Sequence, residues 1–406
     1  MRPNQIFSIP SPARLGAALA LLPCLGAAEA SDLLAKGKVS LNARVRYEGV
    51  EQTALRDADA LTLRTRLGFT AAAWAGWKAM VEAESIVAVD GDRYSQAGLN
   101  PAATGRAVVA DPEMTELNQV WVSYTQGKTA LTLGRQRLVL DNARFVGDVG
   151  WRQNMQTFDA AVVQDKSLDQ TTLTYAYLDR INRVFSRRHA QGRWDSRSHL
   201  FNAARAGLPG GGTLTGYGYR LDFENSAVNS CATWGASYAG ATPLSAAVKL
   251  AYRAEWATQA DYGASRLNYR ASYYAAEAGF VAKPGSVTGG YEVLGSDHNV
   301  GFKTPLATLH AYNGWADLFL TTPAAGLRDS YLKATAALPE EFALTAFYHW
   351  YVNDAAGARL GREWNVQLTR KFGQAVTGLA KIADFRRDSP TLPDVRKIWL
   401  QVEYGY

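Results

Sequence analysis

The run Lys38-Val39-Ser40-Leu41-Asn42-Ala43-Arg44-Val45-Arg46-Tyr47-Glu48 decides the fold. Its even positions hold Lys38, Ser40, Asn42, Arg44, Arg46 and Glu48. Its odd positions hold Val39, Leu41, Ala43, Val45 and Tyr47. Side chains of an extended strand alternate between two faces, so this period of two describes a strand with one apolar and one charged face. The plan recurs along the chain. Leu61, Leu63, Leu67 and Phe69 oppose Thr62, Arg64, Arg66 and Thr70. Trp77, Ala79 and Val81 oppose Lys78, Glu82 and Glu84. Ile398, Leu400, Val402, Tyr404 and Tyr406 oppose Lys397, Gln401 and Glu403.

These segments number about 18, close to ten residues each, which is the pattern of a closed transmembrane barrel. After residue 30 no stretch is long and apolar enough for a membrane-spanning helix. Connections alternate between short turns, such as Gly127-Lys128, Pro339-Glu340 and Phe372-Gly373, and longer loops at 89–113, 141–154 and 295–327. Short turns on the periplasmic side and long loops outside are the expected polarity. A soluble sandwich does not explain so many consecutive strand pairs. The expected fold is therefore all-β, a transmembrane antiparallel β-barrel of about 18 strands.

The first thirty residues read differently. Arg2 and Arg14 precede the mostly apolar run 15–25, and Ala28 and Ala30 stand before Ser31 as a cleavage site wants. Residues 1–30 are expected to be a secretory signal peptide, and 31–406 a single barrel domain. A lipoprotein reading centred on Cys24 is weaker, because Pro23 precedes it. Cleavage leaves Cys231 alone, so no intrachain disulfide is expected.

The charged face lines an aqueous lumen in this reading. Its basic candidates are Lys38, Arg44, Arg46, Arg64, Arg66, Lys78, Arg135 and Arg137, with Arg144 and Arg152 reaching in from the 141–154 loop. The acids near them are Glu48, Glu82, Glu84, Glu116, Asp141 and Asp159. Arg135 and Arg137 share parity with Leu131 and Leu133, and a bulge near Gly134 is expected to turn them inward, because arginine facing lipid is costly. One reading has arginines and acids simply bracing a wide polar lumen. The other is an arginine ladder attracting anionic solutes, with interspersed carboxylates keeping binding weak enough for conduction.

Other classes fare poorly. The five histidines lack the His-Glu-x-x-His spacing, and no Gly-x-Ser-x-Gly elbow occurs, so neither an enzyme nor a cofactor is expected. A formal charge of +6 without zinc-finger spacing or a basic helix gives no reason to expect a nucleic-acid partner.

The blocks Gly134-Arg135-Gln136-Arg137-Leu138, Gly150-Trp151-Arg152-Gln153-Asn154, Gln156-Thr157-Phe158-Asp159-Ala160 and Thr304-Pro305-Leu306-Ala307-Thr308-Leu309-His310, followed by Asn313-Gly314-Trp315-Ala316-Asp317, resemble the bacterial alginate export family of outer-membrane porins. The resemblance implies a monomeric 18-stranded barrel among the lipids and lipopolysaccharide of a Gram-negative outer membrane. It also implies an arginine- and lysine-lined lumen passing a polymannuronate-type polysaccharide. By that analogy Arg46, Arg66, Arg135, Arg137, Arg144 and Arg152 form the selectivity lining. The turns on the periplasmic side leave little for a dedicated gate. The expected function is thus a passive channel favouring small anionic solutes such as carboxylates or uronates, with alginate-type export second. A structural or adhesive barrel is third, and would require the 89–113 and 295–327 loops to close the lumen.

Overall fold

The computed structural model describes residues 33–406, so the expected signal peptide lies outside the described residues. Eighteen strands form one sheet that closes on itself. They are β1 (Lys38–Gln52), β2 (Ala58–Thr70), β3 (Trp77–Ala88), β4 (Met114–Gln126), β5 (Thr129–Gln136), β6 (Thr157–Asp165), β7 (Thr171–Asn182), β8 (Arg193–Leu208) and β9 (Gly212–Leu221). There follow β10 (Cys231–Pro243), β11 (Val248–Asp261), β12 (Arg270–Ala282), β13 (Gly285–Leu294), β14 (Leu327–Ala337), β15 (Phe342–Asn353), β16 (Arg359–Phe372), β17 (Val376–Arg387) and β18 (Val395–Gly405). Every neighbouring pair is antiparallel, and β1 closes the circle by pairing with both β2 and β18. Closure leaves no sheet edge unpaired, a requirement for strands surrounded by lipid.

The period of two survives into the structure. Along β1, Arg44, Arg46, Glu48 and Val50 are buried, while Val39 and Val45 are exposed. Leu63, Leu67, Trp256, Phe280, Trp350, Trp364, Leu400 and Val402 are exposed on the same outer surface. An exposed apolar band of this extent belongs against acyl chains.

Three of the long loops fold into the barrel. Loop 137–156 runs beside loop 295–326: Val146 bridges Leu306, and Gly147 N–H donates to the Leu306 carbonyl at 2.8 Å. Phe145 packs in a ring cluster with Tyr217 of β9, Tyr273 of β12 and Phe302, at centroid distances of 5.2, 5.3 and 6.0 Å. Loop 89–113 joins them where Asp111 accepts from the Gln153 backbone N–H at 2.9 Å. The expected loops at 89–113 and 295–327 thus enter the lumen with the arginine-bearing loop between them.

The bulge expected at Gly134 is absent. The ladders from β5 to β4 and to β6 run through that residue without a shift. The shifts fall instead between Glu82 and Ala83 and between Asp159 and Ala160. Gly134 has φ +117°, and a Cβ there would lie 2.4 Å from the Val120 carbonyl oxygen, so the position needs glycine.

Candidate functional site

The sequence alternation on β1 and β2 sets four arginines on one patch of inner wall. Arg44 is paired with Arg64 across the strands, Asn42 with Arg66 and Arg46 with Thr62. On the other side β18 supplies Glu403 opposite Arg44 and Gln401 opposite Arg46. Glu403 accepts from Arg44 Nε at 2.9 Å and from Arg64 Nη2 at 3.1 Å. Gln401 accepts from Arg46 Nη2 at 2.6 Å, and Arg66 is paired with Glu84. Arg64 is 1 % exposed, and among the described residues its Nε and Nη1 have no hydrogen-bond partner. Such unsatisfied cationic donors in a buried patch favour an anionic acceptor.

The patch also grips the loop above it. Arg44 Nη1 donates to the Trp151 carbonyl at 3.2 Å, and Arg66 Nη2 to the Gln153 carbonyl at 3.2 Å. Below the loop lies a cavity of about 520 Å³ lined by Arg44, Arg66, Glu82, Arg137, Met155 and Glu403. Arg137 is half exposed there, and its Nε donates to Asp148 at 2.8 Å. Glu82 accepts from Asn118 at 2.6 Å and Gln119 at 3.0 Å.

Arg144 and Arg152 anchor the loop to two separate stretches of the wall. Arg144 Nε donates to Glu292 of β13 at 2.7 Å, and its Nη2 to Asn313 at 3.1 Å. Arg152 reaches Glu48 of β1 at 3.1 Å and Asp317 of loop 295–326 at 2.8 Å. Burial works against the charge on both guanidiniums. Glu292 nonetheless holds Arg144 above its ordinary value, and Glu48 and Asp317 do the same for Arg152. Asp141 accepts from Asn202 of β8 at 2.7 Å, and burial pushes its carboxyl up.

A second cluster lies beside the patch. Lys381 of β17 is 5 % exposed, with Nζ 3.9 Å from the Trp151 ring centroid and 3.6 Å from that of Trp315. The Trp399 ring of β18 stands 5.4 Å away. Lys381 donates to His310 Nε2 at 2.8 Å, while His310 Nδ1–H donates to Asp317 at 2.7 Å. His310 stacks on Trp151 at 4.6 Å with planes 3° apart. Burial, with Lys381 adding to it, drives the imidazole well below its ordinary value and keeps it neutral. Burial opposes the Asp317 charge, but His310, Lys397 and Arg152 outweigh it and hold the carboxyl well below the usual range. Lys397 lies 2.7 Å from Asp317.

The expected lining residues therefore separate into groups. Arg44, Arg46, Arg64, Arg66, Glu82 and Glu84 face inward around one patch, with Arg137 at its edge. Lys38 and Lys78 are exposed, toward the ends of β1 and β3 where the short turns lie. Arg144, Arg152 and Asp141 are tethers of the inserted loop. Arg135 is a correction: it is on the outer face. It pairs across from Val120, which is itself level with exposed Val81, so the unbroken register keeps it on the side of Leu131 and Leu133. Its charge is met there by Asp159, 2.7 Å from Nε, which also accepts from Arg180 at 3.2 Å. Alternation marked Lys397 as inward but gave Lys381 and Glu292 no distinction from any other polar wall residue. His310 and Asp317 sat in a loop whose inward fold carries no local signal.

Comparison with known proteins fits this architecture. No functionally curated protein matches the sequence. The barrel is similar to that of Pseudomonas aeruginosa OpdK solved with vanillate (15 % identity, TM-score 0.74, covering 92 % of this chain and 99 % of that one). It is also similar to Pseudomonas aeruginosa OccK9 (16 %, TM-score 0.72, 92 % and 100 %) and to Acinetobacter baumannii OccAB4 (13 %, TM-score 0.71, 91 % and 98 %). Residues 37–275 match the family model described as alginate export. With its closed 18-stranded barrel, the chain belongs to the alginate export family and is a protein of the Gram-negative outer membrane.

Proposed function

We propose that this barrel is a passive outer-membrane channel favouring small anionic solutes, carboxylates or uronates above all. The observation that carries the reading is the inner patch of Arg44, Arg46, Arg64 and Arg66, of which Arg44 and Arg66 line an open cavity. Guanidinium forks match carboxylates bidentately, and a positive wall raises the local anion concentration. Glu403 and Glu84 stand within the patch and keep any one anion from being held tightly, as conduction requires. A similar barrel was solved with vanillate, itself a carboxylate, which supports a small solute. In this reading the protein works as a monomer, and its outer band contacts lipid and lipopolysaccharide.

Export of an alginate-type polysaccharide is the second reading, favoured by family membership. Against it stand the loops 137–156 and 295–326, which are bonded to each other and to the wall. Single-channel current across a planar bilayer under a salt gradient separates the two. Anion-selective current blocked by a monomeric uronate supports the small-solute channel. Block by oligomannuronate alone supports export. Unselective current with no block by either removes the role of the arginine patch.

A further inference from the structure

We infer that Lys381 is a positioning residue of the two inserted loops: its ammonium fills an aromatic cage to which both contribute and thereby pins them to the barrel wall. Trp151 comes from loop 137–156, His310 and Trp315 from loop 295–326, and Trp399 from the neighbouring strand β18. The cation therefore touches three separate parts of the fold at once. Its hydrogen bond, among the described residues, goes to a neutral imidazole rather than to a carboxylate. Burying an ammonium without an adjacent counter-charge is unfavourable, and ring faces offset this only when they enclose it. The cage thus holds together because the lysine is in it, and the lysine is tolerated because the cage is closed. Arg46 lies over the Trp151 ring at 4.1 Å, so the indole is gripped by two wall cations, one from β1 and one from β17. Cages of this kind elsewhere recognise cationic ligands; here the occupant is part of the wall.

The proposal rests on the channel reading for one of its two tests, and the other does not need it. Lys381→Met keeps the length and apolar stem but removes the charge, while Lys381→Arg keeps a cation. In planar bilayers, Lys381→Met is expected to raise single-channel conductance about twofold with added open-channel noise, and Lys381→Arg to stay near the parent value. Amide hydrogen exchange in the purified folded barrel gives the second test. In Lys381→Met, exchange in loops 137–156 and 295–326 is expected to quicken about tenfold while the strands stay protected and the barrel keeps its heat-modifiable migration. Should Lys381→Met fail to assemble, Trp315→Leu opens the cage from the loop side and is expected to give the same two changes. A parent that conducts, beside a folded Lys381→Met of unchanged conductance and unchanged loop exchange, overturns the inference. A parent without current overturns the channel reading, and the exchange comparison then decides the pin by itself.

Discussion

Arg152 and Asp317, 165 residues apart in the chain, form a 2.8 Å ion pair inside the barrel. Through it the loop after β5 is joined to the loop after β13. The pair continues to Glu48 on one side and to Lys397 on the other, so two wall strands and two loops share one charge network. Asp317→Asn leaves Arg152 and Lys397 short of a buried counter-charge. The expected loss is about 3 kcal/mol. Urea unfolding of the parent and variant in lipid vesicles measures it, and equal midpoints would refute the assignment.

The arginine patch makes a prediction about selectivity rather than stability. Replacing Arg44 and Arg64 together by serine removes two positive charges from the wall and leaves the Arg152 network in place. The anion-to-cation permeability ratio is expected to fall about threefold. The reversal potential under a salt gradient reads this directly. An unshifted potential in a folded double variant excludes the patch as the selectivity element.

Acid should loosen the loops. A seated His310 is neutral, its proton affinity driven well below the ordinary 6.5 by burial, and Lys381 and Arg152 add to the effect while Asp317 opposes it. An unseated His310 takes up a proton near its ordinary value. The seat is therefore strongest above pH 6.5 and weakens as pH falls below it, toward the depressed value. Asp317 stays ionised throughout this range, since its carboxyl is held below the usual range. Amide exchange in loop 295–326 is expected to quicken between about pH 7.5 and pH 5.5, after correction for the intrinsic rate. His310→Gln should lose that pH slope, and retention of the slope would assign it to another group.

On the outer face, Asp159 pairs with both Arg135 and Arg180, and Arg180 continues to Asp195 of β8. Asp159→Asn removes the paired carboxylate of Arg135, while Arg180 keeps Asp195 at 3.3 Å. The cost is expected at about 1–2 kcal/mol, between the mid-depth and interfacial values for a lipid-facing arginine. Slower assembly into vesicles, seen as delayed appearance of the heat-resistant band, accompanies it. Unchanged assembly and urea midpoint would show that Arg135 is served by another group, such as the Leu117 carbonyl it already reaches at 3.0 Å.

Local alternation made the barrel legible, because a period of two is written residue by residue. Arg44 and Arg46 could be set inside from β1 alone, and the structure keeps them there. Arg135 could not be settled that way. Its parity with Leu131 and Leu133 points outward, and only a bulge would turn it away from lipid. The fold instead kept the register and supplied Asp159 and Arg180 from strands β6 and β7. The cost of a lipid-facing charge is real, but a neighbouring strand can meet it. The cage around Lys381 was hidden for a different reason. Its rings come from residues 151, 315 and 399, and nothing in the spacing of these positions says that two loops fold inward to meet the wall.

Strand β5 has only eight residues, against sixteen in β8. At about 3.3 Å per residue and a tilt near 40°, its chain leaves the wall roughly 20 Å above the inner rim. The inserted loops therefore cross the bore well inside the membrane, below the mouth. In the proposed channel these loops act electrically as one thin resistive slab between the two mouths. Most of an applied voltage then drops across that slab, beside Arg44, Arg64 and Glu403. Small displacements of a charge there would govern the current more strongly than anything at the surface.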